Sequence, residues 1–101
     1  MSAANEVPPI DIEKVRRRWA ERGFSCAVWI DAPGQEWRNF LHATDELVMP
    51  IEGQIELEFG GRVIRPAIGE EVLIPACTLH TVRNIGRGIS RWLYGYKGRS
   101  G

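Results

Sequence analysis

The chain of 101 residues predicts an all-β fold, closed or sandwiched on itself, with one short helix in front. Three observations carry that reading. Eight short segments of strand character follow one another between Phe24 and Tyr96, each closed by turn-forming residues. Ile55-Glu56-Leu57-Glu58-Phe59 alternates strictly between apolar and acidic residues, the period of a half-buried strand. Helical periodicity is confined to one stretch near the N-terminus. Many short strands in so small a chain favour closure, which also removes edges that would offer unpaired N–H and C=O groups to other chains.

Residues 1–10 are polar and then stiffened by Pro8-Pro9, and are expected to form a flexible lead-in to a single domain over 11–101. Asp11 is placed to cap a helix and Glu13 lies in its first turn, where the helix dipole favours an acid. Ile12, Val15 and Trp19 form one apolar stripe, and Gly23 suits the position just past the last turn. Arg16, Arg17 and Arg18 lie mostly off the stripe and read as a solvated face rather than an anion site. The strands expected after Gly23 are Phe24–Ile30, Glu36–Leu41, Glu46–Ile51, Gln54–Phe59, Arg62–Arg65, Glu71–Ile74, His80–Asn84 and Ser90–Tyr96. Pro33-Gly34, Glu52-Gly53, Gly60-Gly61, Pro66–Gly69, Pro75–Thr78 and Gly86-Arg87-Gly88 are among their separators. Glu56 and Glu58 read as a plain solvent-facing strand surface.

Thirteen Lys and Arg balance thirteen Asp and Glu, so the electrostatic case for a general nucleic-acid binder is absent. Apolar residues at 44% and charged residues at 26% are the balance of a folded domain, and four Trp with three Phe and two Tyr exclude disorder. No apolar run approaches the ~18 residues needed to cross a bilayer. The N-terminus has neither the basic nor the apolar region of a secretory signal. Cys26 and Cys77 make no disulfide framework and match no zinc-finger spacing, so reduced thiols and a cytoplasmic location are expected. Leu47, Val48, Met49 and Ile51, Cys26 to Ile30 and Trp92-Leu93-Tyr94 are apolar on both faces. One short helix is not expected to cover every outer face, which points to a homodimer.

The two histidines, His42 and His80, each border a turn, and Glu46 follows His42 by four residues. A straight strand would start those two side chains ~13 Å apart, too far for one ion. A tight hairpin with Ala43-Thr44-Asp45 as its loop would bring the imidazole and the carboxylate face to face. His80 would come from a strand distant in sequence and adjacent in the barrel. Two neutral imidazoles and one carboxylate make a three-ligand set for a divalent metal with coordination positions left open. On spacing alone, two locally hydrogen-bonded histidines are the more frequent explanation.

The chain resembles the cupins, whose two motifs are G(x)5HxH(x)3,4E(x)6G and G(x)5PxG(x)2H(x)3N. Gly34, His42, Glu46 and Gly53 fall at required places of the first over residues 34–53. Gly69, Pro75, His80 and Asn84 fall at those of the second over residues 69–84. The resemblance implies a small jelly-roll β-barrel with a metal held inside it by His42, Glu46 and His80. The chain departs from the pattern twice: Phe40 replaces the first histidine of HxH, which reduces the family's usual four ligands to three, and Cys77 replaces the glycine of PxG.

Phe40, Cys77 and Trp37 are the pocket candidates. Phe40 either lines a pocket or fills the space of the lost imidazole. Cys77 is a soft ligand, a reactive thiol or, most often for such a residue, a buried structural thiol. Trp37, Trp92, Tyr94 and Tyr96 stack on an aromatic or sugar substrate or pack the core. Asn84 ties down a turn, and Arg38, Arg83 and Arg91 are candidate receivers of an anionic substrate. The expected cofactor is a divalent transition metal (Fe, Mn, Ni or Zn) with three protein ligands and a small molecule as partner. Such an ion would polarise a carbonyl or enolate, or bind dioxygen, as in an oxygenase, isomerase or lyase. The alternatives are a non-catalytic binding or sensing module using the same cavity, and a structural or storage protein without metal.

Overall fold

The computed structural model describes residues 9–98. One helix, α1 (Ile12–Glu21), precedes eight strands: β1 (Ala27–Asp31), β2 (Glu36–Phe40), β3 (Glu46–Glu52), β4 (Ile55–Phe59), β5 (Arg62–Ile64), β6 (Val72–Ile74), β7 (His80–Asn84) and β8 (Ser90–Tyr96). The strands form two antiparallel four-stranded sheets, β1-β8-β3-β6 and β2-β7-β4-β5, as a jelly roll requires. Residues 1–8 of the expected lead-in lie outside the described residues. Ile10, also assigned to it, packs instead against the helix-side core.

The helix forms where the sequence places it. The Asp11 carboxylate accepts from the Lys14 N–H at 3.2 Å, and Gly23, at φ +86°, follows the last turn. The first β-segment differs at both ends: the strand begins at Ala27 and runs to Asp31, while Phe24 makes an isolated bridge to Lys97. Chain 24–25 is occupied in following the end of β8, where Ser25 N donates to Tyr96 O at 3.1 Å.

Two cores result. Between the sheets, Val48, Ile55, Leu57, Val72, Ile74, Val82 and Trp92 are buried together. The second core lies between the outer face of the first sheet and α1, and joins Val15, Trp19 and Phe24 to Leu47, Met49 and Leu93. Strand β3 is therefore apolar on both faces because each face meets a partner within this chain. The helix covers Leu47, Met49 and Leu93, while Val28 and Ile30 on the same sheet remain exposed. The Trp19 indole donates to Glu71 at 2.9 Å, which ties α1 to the segment entering β6.

The outer face of the second sheet is charged. Arg83 reaches Glu36 at 2.7 Å, Glu56 at 3.1 Å and Glu58 at 2.7 Å, Arg65 meets Glu56 at 3.0 Å, and Arg38 also pairs with Glu36. Glu56 and Glu58 are thus more than a solvated surface: they hold a guanidinium over the strand. The two guanidiniums beside Glu36, Arg38 first and then Arg83, keep its carboxyl below the usual carboxylate range.

Backbone geometry explains two motif positions. Gly53 sits at φ +78°, where an added Cβ would stand 2.5 Å from Ile89 O, so both the turn and the close approach exclude a side chain. Cys77, in the place of a family glycine, keeps the left-handed conformation at φ +59°. It is exposed, which corrects the expectation of a buried structural thiol. Cys26 is the half-buried thiol, and burial pushes its pKa up.

Cys77→Gly should therefore stabilise the protein by about 1 kcal/mol, because the left-handed strain disappears. Gly95→Ala should destabilise it by roughly 3 kcal/mol, the upper end of overpacking costs. Its Cβ would stand 1.8 Å from Ser25 O. Urea unfolding midpoints at constant slope measure both; a Gly95→Ala midpoint equal to wild type would contradict the packing described.

Candidate metal centre

Three segments deliver the candidate donors. Glu46 opens β3 in the first sheet, His80 opens β7 in the second, and His42 lies in the loop between β2 and β3. One donor atom from each lies within 4.8 Å of the others. Glu46 Oε1 is 3.1 Å from His80 Nε2 and 3.7 Å from His42 Nε2. Glu46 and His80 are each 4% exposed, while His42 stands at the mouth.

The expected tight hairpin does not form. Strands β2 and β3 belong to different sheets, so the chain between them crosses the end of the barrel. The crossing is pinned by Cys77 N donating to His42 O at 2.7 Å, Ala76 N to Asp45 Oδ1 at 2.8 Å and Lys97 N to Asp45 O at 2.9 Å. His42 and Glu46 meet across the interior, and His80 arrives through the pairing of Phe40 with His80 in the neighbouring strand.

The proton count at His80 defines the chemistry. Its Nδ1 lies 3.1 Å from Thr78 O, a carbonyl that can only accept, so the ring donates there. A neutral imidazole then presents a lone pair at Nε2, and 3.1 Å away Glu46 Oε1 presents another. Oε1 is buried and, among the described residues, has no hydrogen-bond donor. Two states relieve this clash of lone pairs: a second proton on His80, or a cation among the three donors. In the first, burial lowers the His80 pKa, but the Glu46 carboxylate and the Thr78 carbonyl outweigh it and raise the pKa above 6.5. In the second, two imidazole nitrogens and a carboxylate oxygen suit a borderline divalent ion, and the Thr78 bond fixes the tautomer that exposes Nε2. The residues present fit a metal.

Phe40 and Trp37 both face the same cavity, although three residues apart on a strand. A register shift between them, with Asn39 at φ +57°, turns Phe40 inward. The Phe40 ring lies nearly parallel to His42, at 10° and 6.1 Å between centroids. Cys77, the third pocket candidate, lines a separate surface groove with Arg38 and Thr81 and is not among the clustered donors. Arg38 and Arg83 are held on the outer face and Arg91 pairs with Glu52 at 3.3 Å, so none of the three candidate anion receivers lines the cavity.

The cavity has a volume of about 200 Å³ and is lined by Trp29, Trp37, Phe40, Val82, Trp92, Tyr94 and Tyr96 together with His42, Glu46 and His80. Asp31, missed by sequence reasoning, organises its aromatic half. Its Oδ1 accepts the indole N–H of Trp29 and of Trp37, each at 2.8 Å, and its Oδ2 that of Trp92 at 3.1 Å. Trp29 was also missed; the available signal was a Trp and an Asp two residues apart on one strand face. Asn84 fulfils its expected role. Its Nδ2 reaches Asp31 O, Ala32 O and Gly88 O while its Oδ1 accepts from Gly86 N, joining two turns.

Opposite pH dependences follow for the two states of His80. A pKa raised by folding adds stability below the ordinary histidine value, lost as pH rises through the folded value. Metal needs that proton gone. In chelator, the melting temperature should fall as pH rises above 6.5, whereas the gain given by added metal should grow over the same interval. Scanning fluorimetry with and without chelator checks both; a metal-induced gain equal at pH values on either side of the transition would contradict the ligand set.

No curated protein matches the sequence. Solved structures match the fold. A cupin domain of an XRE family transcriptional regulator from Enterobacter cloacae aligns with a TM-score of 0.70 at 21% identity, over 81% of this chain and 90% of that one. The DMSP lyase DddQ from Ruegeria pomeroyi aligns with 0.67 at 19% identity, over 75% of this chain and 39% of that one. A salicylate 1,2-dioxygenase from Pseudaminobacter salicylatoxidans aligns with 0.68 at 17% identity, over 74% of this chain and 22% of that one. The chain thus spans well under half of either enzyme. The family model described as "Cupin domain" matches residues 27–96, from the first strand to the last, and the chain belongs to that family.

Proposed function

We propose that this cupin is a metal-dependent small-molecule protein in which His42, Glu46 and His80 hold one divalent transition metal, iron, manganese, nickel or zinc. The observation that carries the reading is Glu46 Oε1, buried, without a donor among the described residues, and facing two imidazole nitrogens. Three protein ligands leave coordination positions for water or a substrate. A metal there supplies Lewis acidity toward a carbonyl or enolate oxygen, or a redox centre for dioxygen chemistry. Those are the reactions of an isomerase, lyase or oxygenase, and the fold likeness to a lyase and a dioxygenase supports that range.

The chain's own residues shape what happens beside such an ion. Thr78 O orients His80. The Tyr96 hydroxyl lies 3.3 Å from His42 Nε2, and burial, followed by the Glu46 and Tyr94 charges, pushes its pKa up to about 12. It remains a phenol at neutral pH, able to hand a proton to a developing oxyanion but not to serve as a resting base. Phe40 keeps one side of the site apolar where other cupins place a histidine.

A second reading is a sensing module that binds its ligand in the same cavity without turnover. The alignment with 90% of a regulator's cupin domain supports it. In either reading we place the protein in the cytoplasm as a homodimer, the contact running over Val28 and Ile30, which remain exposed on edge strand β1.

Metal analysis of protein purified without chelator or affinity nickel tests the site. Wild type should carry one ion per chain, and His42→Ala and His80→Ala should carry none while remaining folded; equal metal in all three would refute the assignment. Phe40→His should compete better against a chromogenic chelator. It should also lose about 1 kcal/mol of stability when stripped, because Phe40 is 39% exposed and only part of its packing is lost. A screen of dioxygen consumption and enolisation against small carbonyl compounds separates enzyme from sensor.

A further inference from the structure

The cavity has two unlike halves. The metal ligands occupy one, and Phe40 stands between them and the other, 6.0 Å from Trp37 and 6.1 Å from each imidazole. The second half is a box of rings. Trp29 meets Trp37 at 81° and 5.4 Å, and Tyr94 at 78° and 6.0 Å, while Tyr94 meets Trp92 at 59° and 5.8 Å. Near-right angles at the two Trp29 pairs and the tilted Tyr94–Trp92 pair make corners around the space they line.

All three indole N–H groups of the box point at one carboxylate, Asp31, and are used there. The walls therefore offer a guest ring faces and edges but no indole donors. Among the described residues no Lys or Arg lines the cavity, Glu46 lines its metal half, and the Asp31 carboxylate stands behind its aromatic walls. A carboxylate accepting an indole N–H polarises the ring toward negative. Electron-rich faces from several sides and a carboxylate behind them are the conditions for cation–π recognition.

We infer that the aromatic half of the cavity binds a small organic cation of the quaternary ammonium type. Size limits the guest. The cavity is about 200 Å³, against ~150 Å³ for an apolar cavity that holds one benzene. It takes a methylated head group and a short tail. This inference names a ligand class for the site proposed above. It rests on that reading only for the tail, which would carry an oxygen donor to the metal; the box itself needs no metal.

The test uses metal-stripped protein in chelator, titrated with tetramethylammonium, with choline and with dimethylbutanol, the uncharged carbon isostere of choline. Calorimetry and tryptophan fluorescence read the binding. Both cations should bind saturably, and choline at least about tenfold more tightly than the isostere. Protein carrying fluorotryptophan keeps the shape of the box but weakens the ring faces, so it should lose affinity for the cations and not for the alcohol. An isostere as tight as choline, cation affinity unmoved by fluorination, or no saturable response overturns the inference. Metal content measured on the same batches before stripping keeps the two readings separate. One ion per chain with no cation binding refutes the box alone, and cation binding with no metal refutes the metal site alone.

Discussion

A carboxylate taken out of water costs several kcal/mol unless hydrogen bonds or opposite charge meet it, and the first sheet of this barrel buries two, Asp31 at 3% exposure and Glu46 at 4%. The chain solves the problem differently at each. Asp31 receives three indole N–H groups, from β1, β2 and β8, so its charge is answered by dipoles fixed in both sheets. Glu46 receives no donor at Oε1 among the described residues and faces two imidazole nitrogens. One carboxylate therefore sets the walls of the cavity, and the other leaves a position with room for a proton or a metal. The aromatic lining, the placement of the histidines and the two-sided pH behaviour all follow from how those charges are met.

The topology makes this arrangement possible. The chain leaves β2 in one sheet and enters β3 in the other, so the His42–Asp45 loop carries an imidazole to the carboxylate of the opposite sheet. The segment before β7 fixes that loop through Cys77 and Ala76, and the same segment ends in His80. A disturbance of Cys77 is thus a disturbance of the site, although its thiol faces solvent. The α1 helix seals the back of the sheet that supplies Glu46, with Leu47 and Met49 beneath it.

Strands β7 and β8 were legible to the residue, because turn residues bound them closely on both sides. The convergence of His42, Glu46 and His80 was legible through motif spacing, since Gly34, Gly53 and Gly69 mark turns that all sit at positive φ. The hairpin expectation failed because the three residues between His42 and Glu46 say nothing of which sheet follows. The coverage of Leu47 and Leu93 by α1 was hidden because it joins residues far apart in sequence. Asp31 escaped notice for a similar reason: a lone acid at a strand end reads as a turn residue until three distant tryptophans converge on it. Cys77 misled because its residue type suggested burial, whereas the position demands a left-handed backbone.

The central claim is that His42, Glu46 and His80 together form a metal centre. X-ray absorption on the metal-loaded protein measures it most directly, because outer-shell scattering counts imidazoles and first-shell distances separate oxygen and nitrogen from sulfur. The account requires two imidazoles and only oxygen or nitrogen neighbours, at about 2.0–2.2 Å for a zinc-loaded sample. A first shell containing sulfur at about 2.3 Å, or one without imidazole, would place the metal elsewhere and contradict the account.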